Sequence, residues 1–242
     1  ETKPHPFHDL NLEDGGWREH EDIITDSLWL LGSRAKGPGR DGGYHGNFVP
    51  QVPDQVIRRY TKAGDVVLDM FLGGATTMVE CLRLGRHCIG VELQSNVVDK
   101  AWELNAELDN PHDCETYIIE GNSASNLLWN NLRRALIGLA EGVHREGVDH
   151  AILHPPYWNC IQFTDGENSS DLSSAPSLET FLDEFAQVCR NAHRALKPGK
   201  FATLVIGDIV QKGEWIELGF HCLAAMKRVG FRLVSINVKD IQ

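Results

Sequence analysis

The sequence predicts an α/β fold, a doubly wound and mostly parallel sheet with helices on both faces. Three observations carry this. Short β-branched runs alternate with stretches of helical spacing from about residue 66 onward. The runs are predominantly apolar without strict alternation, and look like strands buried in a parallel sheet. The 242 residues suffice for one such domain with a sizeable core and are too few for two ordinary domains with a linker.

Taken in order, residues 1–43 are polar and irregular and read as an N-terminal extension. It holds one apolar island, Ile23–Leu31, and an exposed Gly-rich basic loop, Gly32–Gly43. Residues 44–242 form the main domain. Val66–Phe71 is a first buried strand; Ala75–Leu84 has helical spacing, and Gly85 stops it. His87–Leu93 is a second strand, and Ser95 caps a helix running to about Leu108. Thr116–Glu120 is a third strand, followed by a helix across Ser125–Gly142. His150–Leu153 is a fourth and ends in a double proline. The polar loop of about Asn159–Ser177 is long for a connector, which marks it as functional. A helix from Leu178 to about Leu196 ends at Lys197–Lys200. Phe201–Ile206 is a fifth strand, Trp215–Val229 a helix and Phe231–Val238 a sixth strand.

Composition bounds the function. The formal net charge of −11 argues against a nonspecific nucleic-acid coat protein. No apolar run approaches the roughly 18–20 residues of a membrane-spanning helix. The start, ETKPHPFHDL, has no secretory signal pattern, and without an initiator Met it reads as processed or trimmed. Six cysteines without a C-x-x-C pair point to a reducing, cytoplasmic setting rather than a disulfide framework. His150 and His154 lie in a strand-like run, where i and i+4 are about 13 Å apart, so they do not share a metal; no metal site is expected.

In open α/β sheets ligands bind beyond the carboxyl ends of the strands. After strand one comes Asp69-Met70-Phe71-Leu72-Gly73-Gly74-Ala75-Thr76-Thr77, a glycine turn that is either simply tight or lets backbone approach a ligand. Strand two ends in Glu92, a solvated or capping carboxylate or a partner for ribose hydroxyls. Strand three leads to Asn122 and Ser123, which either cap the next helix or meet an adenine edge. Together, in register, these favour an adenosine-containing cofactor; a nicotinamide cofactor would want G-x-G-x-x-G. The strongest signal follows strand four: His154-Pro155-Pro156-Tyr157-Trp158. A double proline fixes two φ angles and removes two donors, leaving carbonyls as acceptors. With a polar side chain before it and an aromatic after it, this is a receptor for an exocyclic amino group on a planar base.

On these residues the sequence resembles the S-adenosylmethionine-dependent amino-methylating DNA methyltransferases, which act on adenine N6 or cytosine N4. Asp69–Thr77 and His154–Tyr157 look like that family's cofactor and catalytic motifs. Tyr44–Tyr60 resembles the segment that closes over the methionine end of the cofactor. The likeness spans about residues 44–240. It implies a class I S-adenosylmethionine methyltransferase (Rossmann-like) fold with DNA as substrate, and RNA as the secondary candidate. Phe71, Gly73 and Gly74 would line the methionine portion, with Asp69 near its ammonium and Thr76 at the same turn. Glu92 would hold the ribose, Asn122 or Ser123 the adenine, and Phe48 would cover the reactive end. His154, the Pro155 carbonyl, Pro156 and Tyr157 would hold a base swung out of its helix.

Four departures shape the expectations. Ala75 stands where the family commonly has a glycine, and is expected to crowd the cofactor or the turn. His154 replaces the more common Asp, Asn or Ser; if it accepts from the target amine, activity should fall as pH drops through its pKa, near 6.5 unless shifted. No insertion is large enough for a separate target-recognition domain, which points to a partner subunit or a homodimer. After strand six no further strand closes the sheet, so either a tail has been removed or a segment such as Ile23–Leu31 fills that edge. The alternatives are an RNA or protein methyltransferase of the same fold, or a catalytically impaired relative within a modification complex. A local basic surface for nucleic acid is sought among Arg34, Lys36, Arg40, Arg58, Arg59, Lys62, Lys197 and Lys200.

Overall fold

The computed structural model describes residues 5–12, 15–40, 43–44, 46–139, 146–164, 168 and 170–240. The extension contains a short strand, β1 (Leu28–Trp29), and leads into helix α1 (Gln51–Tyr60). Strand and helix then alternate as the hydrophobic pattern requires: β2 (Val66–Asp69), α2 (Thr76–Leu84), β3 (His87–Glu92), α3 (Ser95–Glu107), β4 (Thr116–Glu120), α4 (Leu128–Gly138) and β5 (Val148–Leu153). Helix α5 (Leu178–Ala195) and strand β6 (Leu196–Leu204) follow. A hairpin of β7 (Ile209–Gln211) and β8 (Glu214–Ile216), helix α6 (Leu218–Val229) and a short β9 (Val238–Lys239) complete the order.

The central sheet runs β4-β3-β2-β5-β6, and every neighbouring pair in it is parallel. The chain lays β3 and β4 on one side of β2, then crosses to β5 on the other, so the strand order reverses between β2 and β5. One face packs Val67, Cys88, Ile118 and Ile152 against α1, α2 and α3. The other packs Leu68, Ile89, Leu153 and the aromatic pair Phe181 and Phe185 among α4, α5 and α6. Strands β2, β3 and β5 are buried at every position, and their few polar residues, such as Asp69, Glu92, Asp149 and His150, are buried with them. Gly85 ends α2 in the left-handed conformation, φ +77°, with its N–H bonded back to the helix.

Several expectations are corrected. Ser95 is the first residue of α3 rather than its cap, and its hydroxyl donates to Glu120 at 2.5 Å. Trp215 belongs to the β7–β8 hairpin, and α6 begins after it. The expected sixth strand does not join the sheet. Residues 231–237 make no ladder among the described residues, and Leu233, Val234 and Ile236 are exposed. Val238–Lys239 instead pairs in parallel with Leu28–Trp29, so the Ile23–Leu31 island finds a partner away from the central sheet. β-Branched composition favours extended backbone but does not choose the edge it pairs with.

The expected basic surface is also absent from most of its assigned residues. Arg34 donates to the carbonyls of Arg40 and Phe48, and Arg40 forms a two-armed bridge to the buried Glu80 at 2.6 Å. Arg58 pairs with Asp22 and Asp54, and Arg59 donates to the Ile24 carbonyl. Lys197 and Lys200 both reach the buried Asp149, at 2.9–3.0 Å. These cations are internal pins, and of the eight only Lys36 is exposed.

Candidate active site

A cavity of about 330 Å³ opens at the carboxyl ends of β2, β3, β4 and β5, at the point where strand order reverses. Its size lies within the roughly 300–1,000 Å³ of small-molecule sites. Phe48, Phe71, Gly73, Glu92, Asn122, Ser123, His154, Pro155, Pro156 and Tyr157 all line it. Asp69, Gly74 and Thr76 do not.

The reasons for those three lie in the turn after β2. Asp69 is buried, and its carboxylate accepts from the Phe71 amide at 2.8 Å, bracing the turn from below. Burial pushes its pKa up to about 6. Thr76 is buried at the start of α2. Gly74 has no room for a side chain, because a Cβ there would stand 2.5 Å from Asn47 Nδ2 and 2.6 Å from Tyr44 Cβ. The glycines therefore let the Tyr44–Phe48 segment lie down on the turn, and Tyr44, Asn47 and Phe48 become a wall of the cavity. Ala75 takes the left-handed conformation, φ +63°, and is buried outside the cavity lining, so its methyl group does not crowd the site.

Glu92 closes β3 with both carboxylate oxygens engaged, one by the Gly73 amide and the other by the Gln94 amide, each at 2.9 Å. Burial raises its pKa, and the two amides oppose that rise. Each oxygen keeps lone-pair capacity for a further donor. Ser123 spends its hydroxyl on the Met70 carbonyl, tying the ends of β4 and β2 together. Asn122 accepts from the Ala124 amide and lines the cavity, so of the pair it is the better placed for a ligand.

On the β5 side, His154 packs against Phe48 with ring centroids 4.7 Å apart, and its Nε2 lies 3.4 Å from the Tyr157 hydroxyl. Burial, with a smaller push from the Lys239 charge, lowers its pKa to about 4. The imidazole is thus neutral across the ordinary range, and the expected fall in activity moves from near pH 6.5 down toward pH 4. Tyr157 lies against the backbone of Gly207, where a Cβ would come within 2.8 Å of its Cε2. Trp158 turns inward instead, and its Nε1 donates to the Ala175 carbonyl at 2.9 Å, anchoring the loop that follows. That loop does reach the site. Phe163, Thr164 and Asp171 line the cavity, with Asp171 accepting from the Thr164 amide and hydroxyl at 2.9 and 2.7 Å.

Sequence reasoning missed Gln94, Asp171 and Lys239 as lining residues. The length of the loop was the one signal for Asp171; the other two carried none. Among the described residues no group of three or more His, Cys, Asp or Glu side chains is disposed to hold a metal ion, and no helix is long and apolar enough to cross a membrane.

Comparison with known proteins bears on this arrangement. Residues 5–103 match the family model described as DNA methylase, of the N6/N4 methyltransferase group. The type II methyltransferase M.MjaII of Methanocaldococcus jannaschii is 36% identical over 50 residues, 21% of this chain and 9% of that protein. The type II methyltransferase M2.DpnII of Streptococcus pneumoniae is 33% identical over 88 residues, 36% of this chain and 31% of that protein. The chain thus spans less than a third of the length of these curated relatives. Among solved structures, TrmN from Thermus thermophilus superposes with a TM-score of 0.48 at 17% identity, over 75% of this chain and 41% of that one.

Proposed function

We propose that this chain is the catalytic part of an S-adenosylmethionine-dependent DNA amino-methyltransferase, with residues 44–242 as the catalytic domain and 1–43 as an extension braced against it. The observation that carries this reading is a single shared cavity. Gly73, Glu92 and Asn122 enter it from the β2–β4 side, and His154–Tyr157 from the β5 side. The match of residues 5–103 to the DNA methylase model supports the same reading.

The residues fit the cofactor. The glycine turn seats an upstream wall against the β2 end, and the buried carboxylate of Glu92 has spare acceptor capacity for ribose hydroxyls. When bound, S-adenosylmethionine supplies a methyl group already activated by the positive charge on its sulfur. The chain's own work is orientation. The neutral His154 imidazole and the Pro155 carbonyl accept the amino hydrogens of adenine (N6) or cytosine (N4). The nitrogen lone pair is thereby left free to bond to the methyl carbon as the methyl–sulfur bond breaks; the sulfur would leave as a neutral thioether and the amino nitrogen would give up one proton to solvent, without a covalent enzyme intermediate. Tyr157 stacks on the flipped base, while Phe48 and Phe71 keep water from the reacting end. A partner subunit or second copy supplies target recognition, since the basic residues next to the domain are used internally.

The test is transfer of label from S-adenosylmethionine to DNA, RNA and protein substrates. DNA is expected to be labelled, with RNA and protein unlabelled. Labelling of protein or RNA alone would replace this reading with the corresponding alternative.

A further inference from the structure

Lys239 is the one cationic side chain among the described residues that line the cavity, whose other charged groups are Glu92 and Asp171. Strand β9 holds it there. The Val238 amide donates to the Ser27 carbonyl at 2.7 Å and the Asp240 amide to the Trp29 carbonyl at 3.1 Å, with Lys239 in register with the buried Trp29. Successive strand residues face opposite ways, so Val238 is 61% exposed while Lys239 turns to the cavity. It forms no ion pair among the described residues, and burial alone lowers its pKa. It lines the same cavity as His154 and Tyr157. A half-buried ammonium without a counter-charge is costly unless a ligand completes it.

We propose that Lys239 is an anion-binding residue of this cavity, taking an anionic oxygen group of a bound ligand. This rests on the proposed function, which offers two sources of that chemistry. One is the α-carboxylate at the methionine end of S-adenosylmethionine; the other is the backbone phosphate of the flipped nucleotide. Both present oxygens that an ammonium holds by charge-assisted hydrogen bonds.

The experiment compares wild type with Lys239→Ala and Lys239→Arg by calorimetry. The ligands are S-adenosylmethionine, its decarboxylated analogue and a short DNA duplex, and thermal unfolding confirms that each variant is folded. If the carboxylate is the partner, wild type prefers S-adenosylmethionine over the analogue by about tenfold, and Lys239→Ala binds the two alike with DNA affinity unchanged. If the phosphate is the partner, Lys239→Ala keeps both cofactor affinities and weakens DNA by about tenfold. In either case Lys239→Arg restores part of the loss. A folded Lys239→Ala that matches wild type toward all three ligands overturns the proposal alone. A folded wild type that binds no S-adenosylmethionine overturns the proposed function, and this inference with it.

Discussion

The role proposed for His154 depends on an imidazole that stays neutral so that it can accept a hydrogen bond. Burial holds its pKa near 4, so methyl transfer should be flat from pH 8 to 5.5 as far as this group is concerned and fall only toward 4. A kcat/KM profile with a limb near 6.5 that Asn at this position removes would contradict it. The same burial affects stability. His150 is pushed down to about 3 and His154 to about 4, against about 6.5 in the unfolded chain. The unfolded state therefore binds protons that the fold refuses, and stability falls as pH drops below about 6.5. Asp69, raised to about 6, acts in the opposite sense between there and about 3.9. At pH 5 each histidine costs about 2 kcal/mol and Asp69 offsets about 1, so the urea midpoint at pH 5 should lie clearly below that at pH 7. Gly207 offers a cleaner test of the role proposed for the His154–Tyr157 turn. Gly207→Ala places a methyl against the Tyr157 ring and should lower transfer by about 10–100-fold while leaving S-adenosylmethionine affinity unchanged in calorimetry. The turn at His154–Tyr157 was legible because a double proline after a buried strand is chemically specific. Gly207 was not, since its need for space is created by a ring fifty positions earlier in the chain.

At the scale of elements, hydrophobic period located β2 through β5 and the helices between them, because burial on both faces leaves a strong one-dimensional trace. It failed for residues 231–237, where extended propensity says nothing about which edge is available. It also failed for charge. The arginines of the Gly-rich loop and α1 look solvated in sequence, yet their partners are Glu80, Asp22 and backbone carbonyls far away in the chain. Arg40 is the clearest case, since Glu80 is fully buried and keeps only the half-exposed Arg83 when Arg40 is removed. Arg40→Ala should destabilise by about 2–3 kcal/mol, read as a lower urea midpoint. An unchanged midpoint would mean that the extension is not braced through this pair.

Across the whole molecule the net charge of −11 takes on a sharper meaning. With seven of the eight cations sought as a nucleic-acid surface not exposed, and most of those held in internal pairs, that surface has little left to displace counterions from a duplex. Affinity for a DNA oligonucleotide should accordingly change by no more than about tenfold between about 50 and 200 mM salt; a much steeper slope would require a phosphate-binding surface elsewhere. The cavity joins what the sequence presented as separate motifs, because the crossover from β4 to β5 sets their strand ends side by side. Whether that juxtaposition is an amino-methylating site is tested most directly by incubating DNA with S-adenosylmethionine and wild type or Tyr157→Ala protein, then analysing the nucleosides. N6-methyladenine or N4-methylcytosine is expected with wild type, reduced by at least about 100-fold in the variant. Methylation at a ring carbon, or equal amino-group methylation by both proteins, would contradict it.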